Sequence, residues 1–217
     1  MKKLFKGTLS LAIIGCFACG CFAQDDITGT TEITGYYQQY RDFSFETGMG
    51  EYGINNSFAP ARMTGGGFSV AQNLAEWFAI WSQLSIYGTV NQWANYGTAE
   101  VQNSIRLIHN LEGIRYQTKQ YGPLRFYGKA GAGFARYSLT YYDPYYGYVD
   151  IGATKFSVGY GGGVNVWFNK HIGLTFDASH TLIALPNLED LYDKTKFPGR
   201  EKFDSGMTYT TGLTFRF

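Results

Sequence analysis

The sequence predicts an all-β fold, an eight-stranded antiparallel up-and-down transmembrane β-barrel that follows a cleaved signal peptide. Three observations carry this: an exported-type start, strands that alternate lipophilic and polar side chains, and connections that alternate long and short. The final segment shows the alternation plainly. Thr208 to Phe217 places Tyr209, Thr211, Leu213, Phe215 and Phe217 on one face, and Thr208, Thr210, Gly212, Thr214 and Arg216 on the other. A period of two with one oily side is a strand, and a last residue that continues the oily row implies a strand used to its end.

Residues 1–23 read as the targeting signal. Lys2, Lys3 and Lys6 are followed by the apolar run Leu9 to Phe22, and Ala23 precedes polar Gln24, Asp25 and Asp26. That order fits cleavage after Ala23, which leaves a single barrel domain over 24–217. An alternative makes Ile13-Ile14-Gly15-Cys16 a loose lipoprotein box with Cys16 lipidated, although the apolar run continues past it. Cys16, Cys19 and Cys21 all lie in this segment, so the mature chain offers neither a disulfide framework nor a thiolate metal site.

Composition narrows the class. Without the three signal lysines, 15 basic residues stand against 17 acidic ones, a net charge of −2 that gives no electrostatic case for nucleic-acid binding. No stretch after residue 23 approaches the roughly 18 apolar residues of a membrane helix, yet 18% of the chain is aromatic and 28 residues are glycine. Such a chain is long enough for a soluble sandwich core, so individual strands must decide.

In chain order, Thr28 to Arg41 alternates poorly, and Met63 to Gln72 carries Gly65-Gly66-Gly67. Phe78 to Val90 sets Phe78, Ile80, Leu84, Ile86 and Val90 against Trp77, Gln83, Ser85, Tyr87 and Thr89. Gln102 to Thr118 holds Arg106, Glu112 and Arg115 without keeping them on one face, and a bulge near Gly113 would restore its phase. Leu124 to Phe134 opposes Leu124, Phe126, Ala130, Ala132 and Phe134 to Arg125, Tyr127, Lys129, Gly131 and Gly133. Lys155 to Phe168 is the clearest: Phe156, Val158, Tyr160, Val164, Val166 and Phe168 outward; Lys155, Ser157, Gly159, Gly161, Gly163, Asn165 and Trp167 inward. Next, Ile172, Leu174, Phe176, Ala178 and Leu182 oppose His171, Gly173, Thr175, Asp177, Ser179 and Thr181.

The expected long connections are Asp42 to Arg62, Asn91 to Val101, Tyr142 to Thr154 and Ile183 to Asp204; the short ones are Asn73 to Trp77, Lys119 to Pro123 and Asn169-Lys170. Long on one rim and short on the other is the pattern of bacterial outer-membrane barrels. A soluble sandwich would instead need the small, glycine-rich face as its packed core. Lipid-facing strands must close on themselves.

These features resemble the small outer-membrane β-barrel proteins of the OmpA-like, porin-like superfamily, and the resemblance spans the whole mature chain. It implies location in the bacterial outer membrane among its lipid and lipopolysaccharide, and a C-terminal strand ending at Phe217 that the barrel-insertion machinery reads. The separate peptidoglycan-binding domain of OmpA is expected to be absent.

Arg125, Lys129, Lys155, Asp177 and Arg216 are predicted to point inward, where an eight-stranded barrel leaves space only for side chains. Paired charges filling the lumen are therefore expected, with a small gated porin-like channel as the alternative. A lipid A-modifying enzyme is a further alternative. Of the imidazoles, His109, His171 and His180, the last adjoins Ser179 on the opposite face, and His171 is about 20 Å along the strand from Asp177. The His-x-Ser-Asn motif of barrel deacylases is not met at His180-Thr181-Leu182-Ile183. No catalytic, cofactor-binding or metal-binding residue is assigned, and no cofactor.

The glycine clusters Gly159 to Gly163 and Gly128 to Gly133 have neither the Gly-Lys-Ser/Thr ending of a phosphate loop nor a following helix, and read as lumenal space for neighbouring side chains. Two loops remain as surface-ligand candidates. Tyr141, Tyr142, Tyr145, Tyr146 and Tyr148 surround Asp143-Pro144, and Glu189, Asp190 and Asp193 mix with Lys194, Lys196, Arg200 and Lys202. The tyrosines equally fit an interfacial aromatic girdle, and the bases fit contact with lipopolysaccharide phosphates.

Overall fold

The computed structural model describes residues 26–41, 45–47, 56–58, 62–96, 99–143, 147–184 and 203–217. Its strands are β1 (Thr31–Arg41), β2 (Phe45–Thr47), β3 (Asn56–Phe58), β4 (Arg62–Ala75), β5 (Phe78–Tyr87), β6 (Val90–Tyr96), β7 (Ala99–Gln117), β8 (Leu124–Asp143), β9 (Gly147–Trp167), β10 (Ile172–Ala184) and β11 (Phe203–Arg216). The main sheet runs β5-β4-β1-β11-β10-β9-β8-β7-β6, and β5 also pairs with β7, which closes it. β5 and β6 both pair with β7, so they act as one crossing interrupted at Gly88-Thr89. The barrel thus has eight antiparallel crossings. β2 and β3 form a separate small ladder.

Closure joins the first strand to the last. Glu32 stands opposite Arg216 and Ile33 opposite Phe215, and the ladder extends through Arg41 opposite Met207. Beyond β11, Phe217 exchanges backbone hydrogen bonds with Thr31 (2.9 and 3.0 Å). With both seams hydrogen-bonded, the wall presents no free edge to lipid.

The faces follow the alternation in β8 to β11. Phe126, Phe134, Phe156, Tyr160, Phe176, Tyr209, Leu213, Phe215 and Phe217 are exposed on the outside, whereas Arg125, Ser157, Asn165, Trp167, Thr175, Asp177, Thr214 and Arg216 are buried inside. β1 alternates strictly despite its sequence, because its inward residues Glu32, Thr34, Tyr36, Gln38 and Tyr40 are polar or amphipathic. Its regular ladder begins at Thr31; Thr28 and Gly29 form a turn before it.

Several expectations need correction. No bulge interrupts β7 at Gly113; its pairing with β5 and β8 is regular, and the only register shift in the β4–β5 ladder lies between Asn73 and Ala75. Glu112 therefore points outward and Arg115 inward. Trp77 is not lumenal: it sits exposed in the β4–β5 turn against Tyr116, ring centroids 5.1 Å apart. The expected loops at 91–101 and 142–154 are largely ladder, since β6 pairs with β7 out to Tyr96 opposite Ala99 and β8 with β9 out to Asp143 opposite Gly147. Hydrogen-bonding along these hairpins carries the wall beyond the apolar band. Ile183 lies in β10, fully buried.

Inward glycines create the space that large neighbours fill. A methyl group on Gly173 would come within 2.9 Å of the Trp167 ring, and one on Gly67 would meet the Leu84 carbonyl first and the Tyr36 hydroxyl at 2.8 Å. Outward Gly128 is different, its nearest foreign atom 3.8 Å away. Gly173→Val is expected to lower unfolding stability by about 1–3 kcal/mol through overpacking, and Gly128→Ala to leave it nearly unchanged. Urea unfolding followed by heat-modifiable gel mobility measures both.

Candidate functional site

The inward side chains form three levels, and the register sets them. At the short-turn rim, Glu32 of β1 accepts from Arg115 of β7 (2.6 Å) and from Arg216 of β11 (Nη2 2.9 Å, Nε 3.1 Å). Arg216 is Glu32's direct cross-strand partner, while Arg115 reaches it across the interior. The Arg216 guanidinium also lies 3.6 Å from the centroid of the Trp167 ring, a cation held over a π face. Asn73 accepts from Arg115 (3.2 Å) and Gln117 (2.9 Å), which ties the β4 end into the same node. Thr34, Thr214, Thr175 and Asn165 continue as a hydroxyl chain.

At mid-height, Lys129 pairs with Asp177 (3.0 Å) and donates to Gln83 (3.2 Å). Asp177 also accepts from the Tyr127 hydroxyl (3.0 Å) and from Ser179 (2.5 Å). Opposite, Tyr36 reaches the Leu84 carbonyl (2.8 Å) and Ser85 (3.0 Å), and Ser85 donates to Gln38. Between these groups a cavity of about 10 Å³ remains, lined in part by Trp81, His109, Lys129 and Asp177. That is room for roughly one water.

Above lies an apolar level. Tyr40, Met63, Tyr87, Ile105, Leu107, Ala135, Tyr137 and Ile183 are each no more than 1% exposed, and Tyr40 meets Tyr87 edge to face at 6.0 Å. Polar alternation in the sequence pointed to a polar interior throughout. Residues from six different strands build this cap, so no single strand displayed it.

All five residues predicted to point inward do so. Lys129 and Arg216 have carboxylate partners; Lys155 is half-buried. Arg125 differs, since it is 1% exposed and among the described residues its one hydrogen bond is a 3.5 Å donation to Gln120, its Nε and Nη1 having no acceptor there. The sequence marked Arg115 only as a charge out of phase on its strand, and did not mark Glu32. The available signal was closure itself, because the first and last strands must pair and Glu32 and Arg216 lie at matching ends of them.

The imidazoles are dispersed. His109 is buried inside and shares a 2.9 Å hydrogen bond with Ser157. His180 faces outward beside Tyr160 and shares 2.9 Å with Ser205. His171 sits at the short-turn rim, its Nδ1 3.0 Å from the Arg216 carbonyl. Ser179 and His180 lie on opposite faces, and Ser179 bonds Asp177 instead. Among the described residues no group of three or more His, Cys, Asp or Glu could hold a metal ion.

Of the candidate surface loops, Tyr141 and Tyr142 belong to β8 and Tyr148 to β9, with Tyr142 opposite Tyr148; Tyr145 and Tyr146 lie outside the described residues. So do Glu189, Asp190, Asp193, Lys194, Lys196, Arg200 and Lys202. On the described part of the same rim, Arg41, Arg62, Arg106 and Arg136 are exposed. Arg41 is directly opposite Arg62, and Arg136 opposite Ile108, two residues from Arg106.

The sequence profile of a family described as an outer membrane protein beta-barrel domain matches residues 9–217. No curated protein matches the chain. Among solved structures, the outer membrane protein OprG of Pseudomonas aeruginosa is 11% identical with a TM-score of 0.52, over 90% of this chain and 99% of that one. Neisserial surface protein A is 12% identical with a TM-score of 0.51, over 87% and 96%. The attachment invasion locus protein Ail of Yersinia pestis is 15% identical with a TM-score of 0.50, over 88% and 99%. At such identities the likeness is one of fold.

Removing one partner of a buried ion cluster strands the others, at a cost of about 3–5 kcal/mol. Glu32→Gln is expected to lose stability on that scale. Arg125→Met, which removes a buried cation that makes no ion pair with the described residues, is expected to be neutral or stabilising. Urea midpoints of the refolded barrels in lipid vesicles compare the two.

Proposed function

The chain belongs to the outer membrane protein β-barrel domain family and resides in the bacterial outer membrane; from that premise we propose that it is a non-catalytic envelope protein with an occluded lumen, acting through its outer rim. The observation that carries the reading is the interior: paired charges below, an apolar cap above, and about 10 Å³ between them. A conducting pathway needs a continuous column of water, and eight strands leave width only for side chains. In planar bilayers the purified protein is expected to give no large, steady conductance steps; such steps would favour the gated-channel reading.

Catalysis is disfavoured by placement. The His109–Ser157 pair is buried beside a cavity that holds one water, and His180 with Ser205 faces outward without a described acid beside it. A triad needs base, nucleophile and substrate space together.

Surface interaction is supported by the exposed arginines of the outer rim. Guanidinium groups bind phosphate bidentately, and Arg41 opposite Arg62, with Arg106 near Arg136, gives two exposed clusters suited to anionic groups such as lipopolysaccharide phosphates. The structure of Ail in complex with the heparin analogue sucrose octasulfate is of a protein of this fold with a polyanion, and it is consistent with this reading. Changing Arg41, Arg62, Arg106 and Arg136 together to Gln is expected to weaken binding to lipid A-containing vesicles at least tenfold, measured by co-flotation, with folding intact.

The C-terminal strand is proposed as the signal for the barrel-insertion machinery. Phe217 is 72% exposed and ends the outward row of Tyr209, Leu213 and Phe215. Deleting Phe217 is expected to lower the amount of assembled barrel in cells severalfold while changing the refolded protein's urea midpoint little; normal outer-membrane levels would refute it.

A further inference from the structure

The outward row of β7 reads Arg106, Ile108, Asn110, Glu112, Ile114 and Tyr116. Tyr116 stacks with Trp77 in the periplasmic aromatic rim, and Glu112 is four residues above it. Four residues of a strand tilted by about 40° rise roughly 10 Å, within an apolar band about 25 Å tall. Glu112 thus lies in the hydrocarbon layer and is exposed to it. In the ladder it stands opposite Ser82 on β5 and Ala132 on β8. Among the described residues no side-chain hydrogen bond or ion pair engages Glu112, Asn110 or Ser82, whose backbones pair in the ladders. Beside them, β8 presents the small outward residues Gly128, Ala130 and Ala132, all exposed.

An ionisable side chain in lipid is costly and ordinarily faces a partner. We propose that this patch joins two copies of the chain in the membrane, each Glu112 accepting hydrogen bonds from the Asn110 amide and the Ser82 hydroxyl of the other copy. Both copies insert in the same direction, so a two-fold axis along the membrane normal brings equal heights together. The patch meets that requirement. It holds one acceptor group and two donors within about 5 Å of the same height, since Asn110 is two residues above Glu112 and Ser82 is its cross-strand neighbour. The patch is therefore self-complementary in hydrogen bonding. Gly128, Ala130 and Ala132 let the second wall approach closely, as small residues do between membrane segments. Acyl chains offer no donor, and lipid headgroups do not reach this depth.

Two-colour fluorescence energy transfer between refolded proteins in liposomes, followed as the protein-to-lipid ratio is varied, tests the proposal. The unmodified chain is expected to associate; Glu112→Leu and, separately, Asn110→Leu should each lower the association constant about tenfold, because several interhelical-type hydrogen bonds worth a few-fold each are lost in lipid. Leu213→Ala, on β11 across the barrel, should leave it unchanged. Heat-modifiable mobility establishes that each variant is folded, and either polar variant suffices if the other fails to fold. A monomer at every density, an association constant untouched by both polar variants, or cross-linking from position 112 to a different envelope component would overturn the proposal.

Discussion

Everything in this molecule depends on closure of the wall between β1 and β11. In lipid an unpaired strand edge has no water to satisfy it, so the first and last strands must pair along their length. Their register is fixed by more than backbone bonds. Glu32 and Arg216 face each other in that seam and are joined by charge-assisted hydrogen bonds, and Arg115 clamps the same carboxylate from across the interior. A buried ion cluster of this kind does not guarantee stability, because desolvation offsets much of the attraction. Its sharper effect is on register: a slip of one residue would turn Glu32 into lipid and Ile33 into the interior.

Closing only eight crossings makes a narrow tube, and that narrowness dictates the interior. Each inward side chain meets those of facing strands, so glycines at Gly67 and Gly173 yield space to Tyr36 and Trp167. Most buried charges pair, Lys129 with Asp177 and Arg115 and Arg216 with Glu32, and Arg125 is the exception among the described residues. The cap of Tyr40, Met63, Tyr87, Ile105, Leu107 and Ile183 follows the same logic at the outer end, where large side chains fill the tube by packing. The proposed occlusion is the sum of these choices. The outside is then free to differ by height: apolar and aromatic side chains along the band, exposed arginines toward its outer end, and an exposed carboxylate at Glu112 between.

Architecture was legible in the sequence where one face is purely lipophilic. β9, β10 and β11 could be assigned residue by residue because Phe, Val, Leu and Tyr alternate with Gly, Ser, Thr and Asn. β1 was obscure because tyrosine and glutamine occur on both of its faces, and β7 because Glu112 faces outward where an apolar residue was expected, which suggested a bulge that the ladder lacks. Strand ends were underestimated at Asn91 to Val101 and Tyr142 to Thr154, since hairpins continuing past the membrane lose the lipophilic face that marks a crossing. The ion node was hidden for a different reason: Glu32, Arg115 and Arg216 lie on three strands, up to 184 residues apart in the chain, and only the closed geometry brings them together.

Chemical access to the lumen tests the central claim most directly. Ser179 is buried at mid-height beside Asp177, and in Ser179→Cys the thiol would report whether small water-soluble reagents reach it. In the folded barrel in liposomes, a charged methanethiosulfonate applied from either side is predicted to leave this cysteine unlabelled until the protein is unfolded. Rapid labelling of the folded protein from either side would contradict an occluded interior.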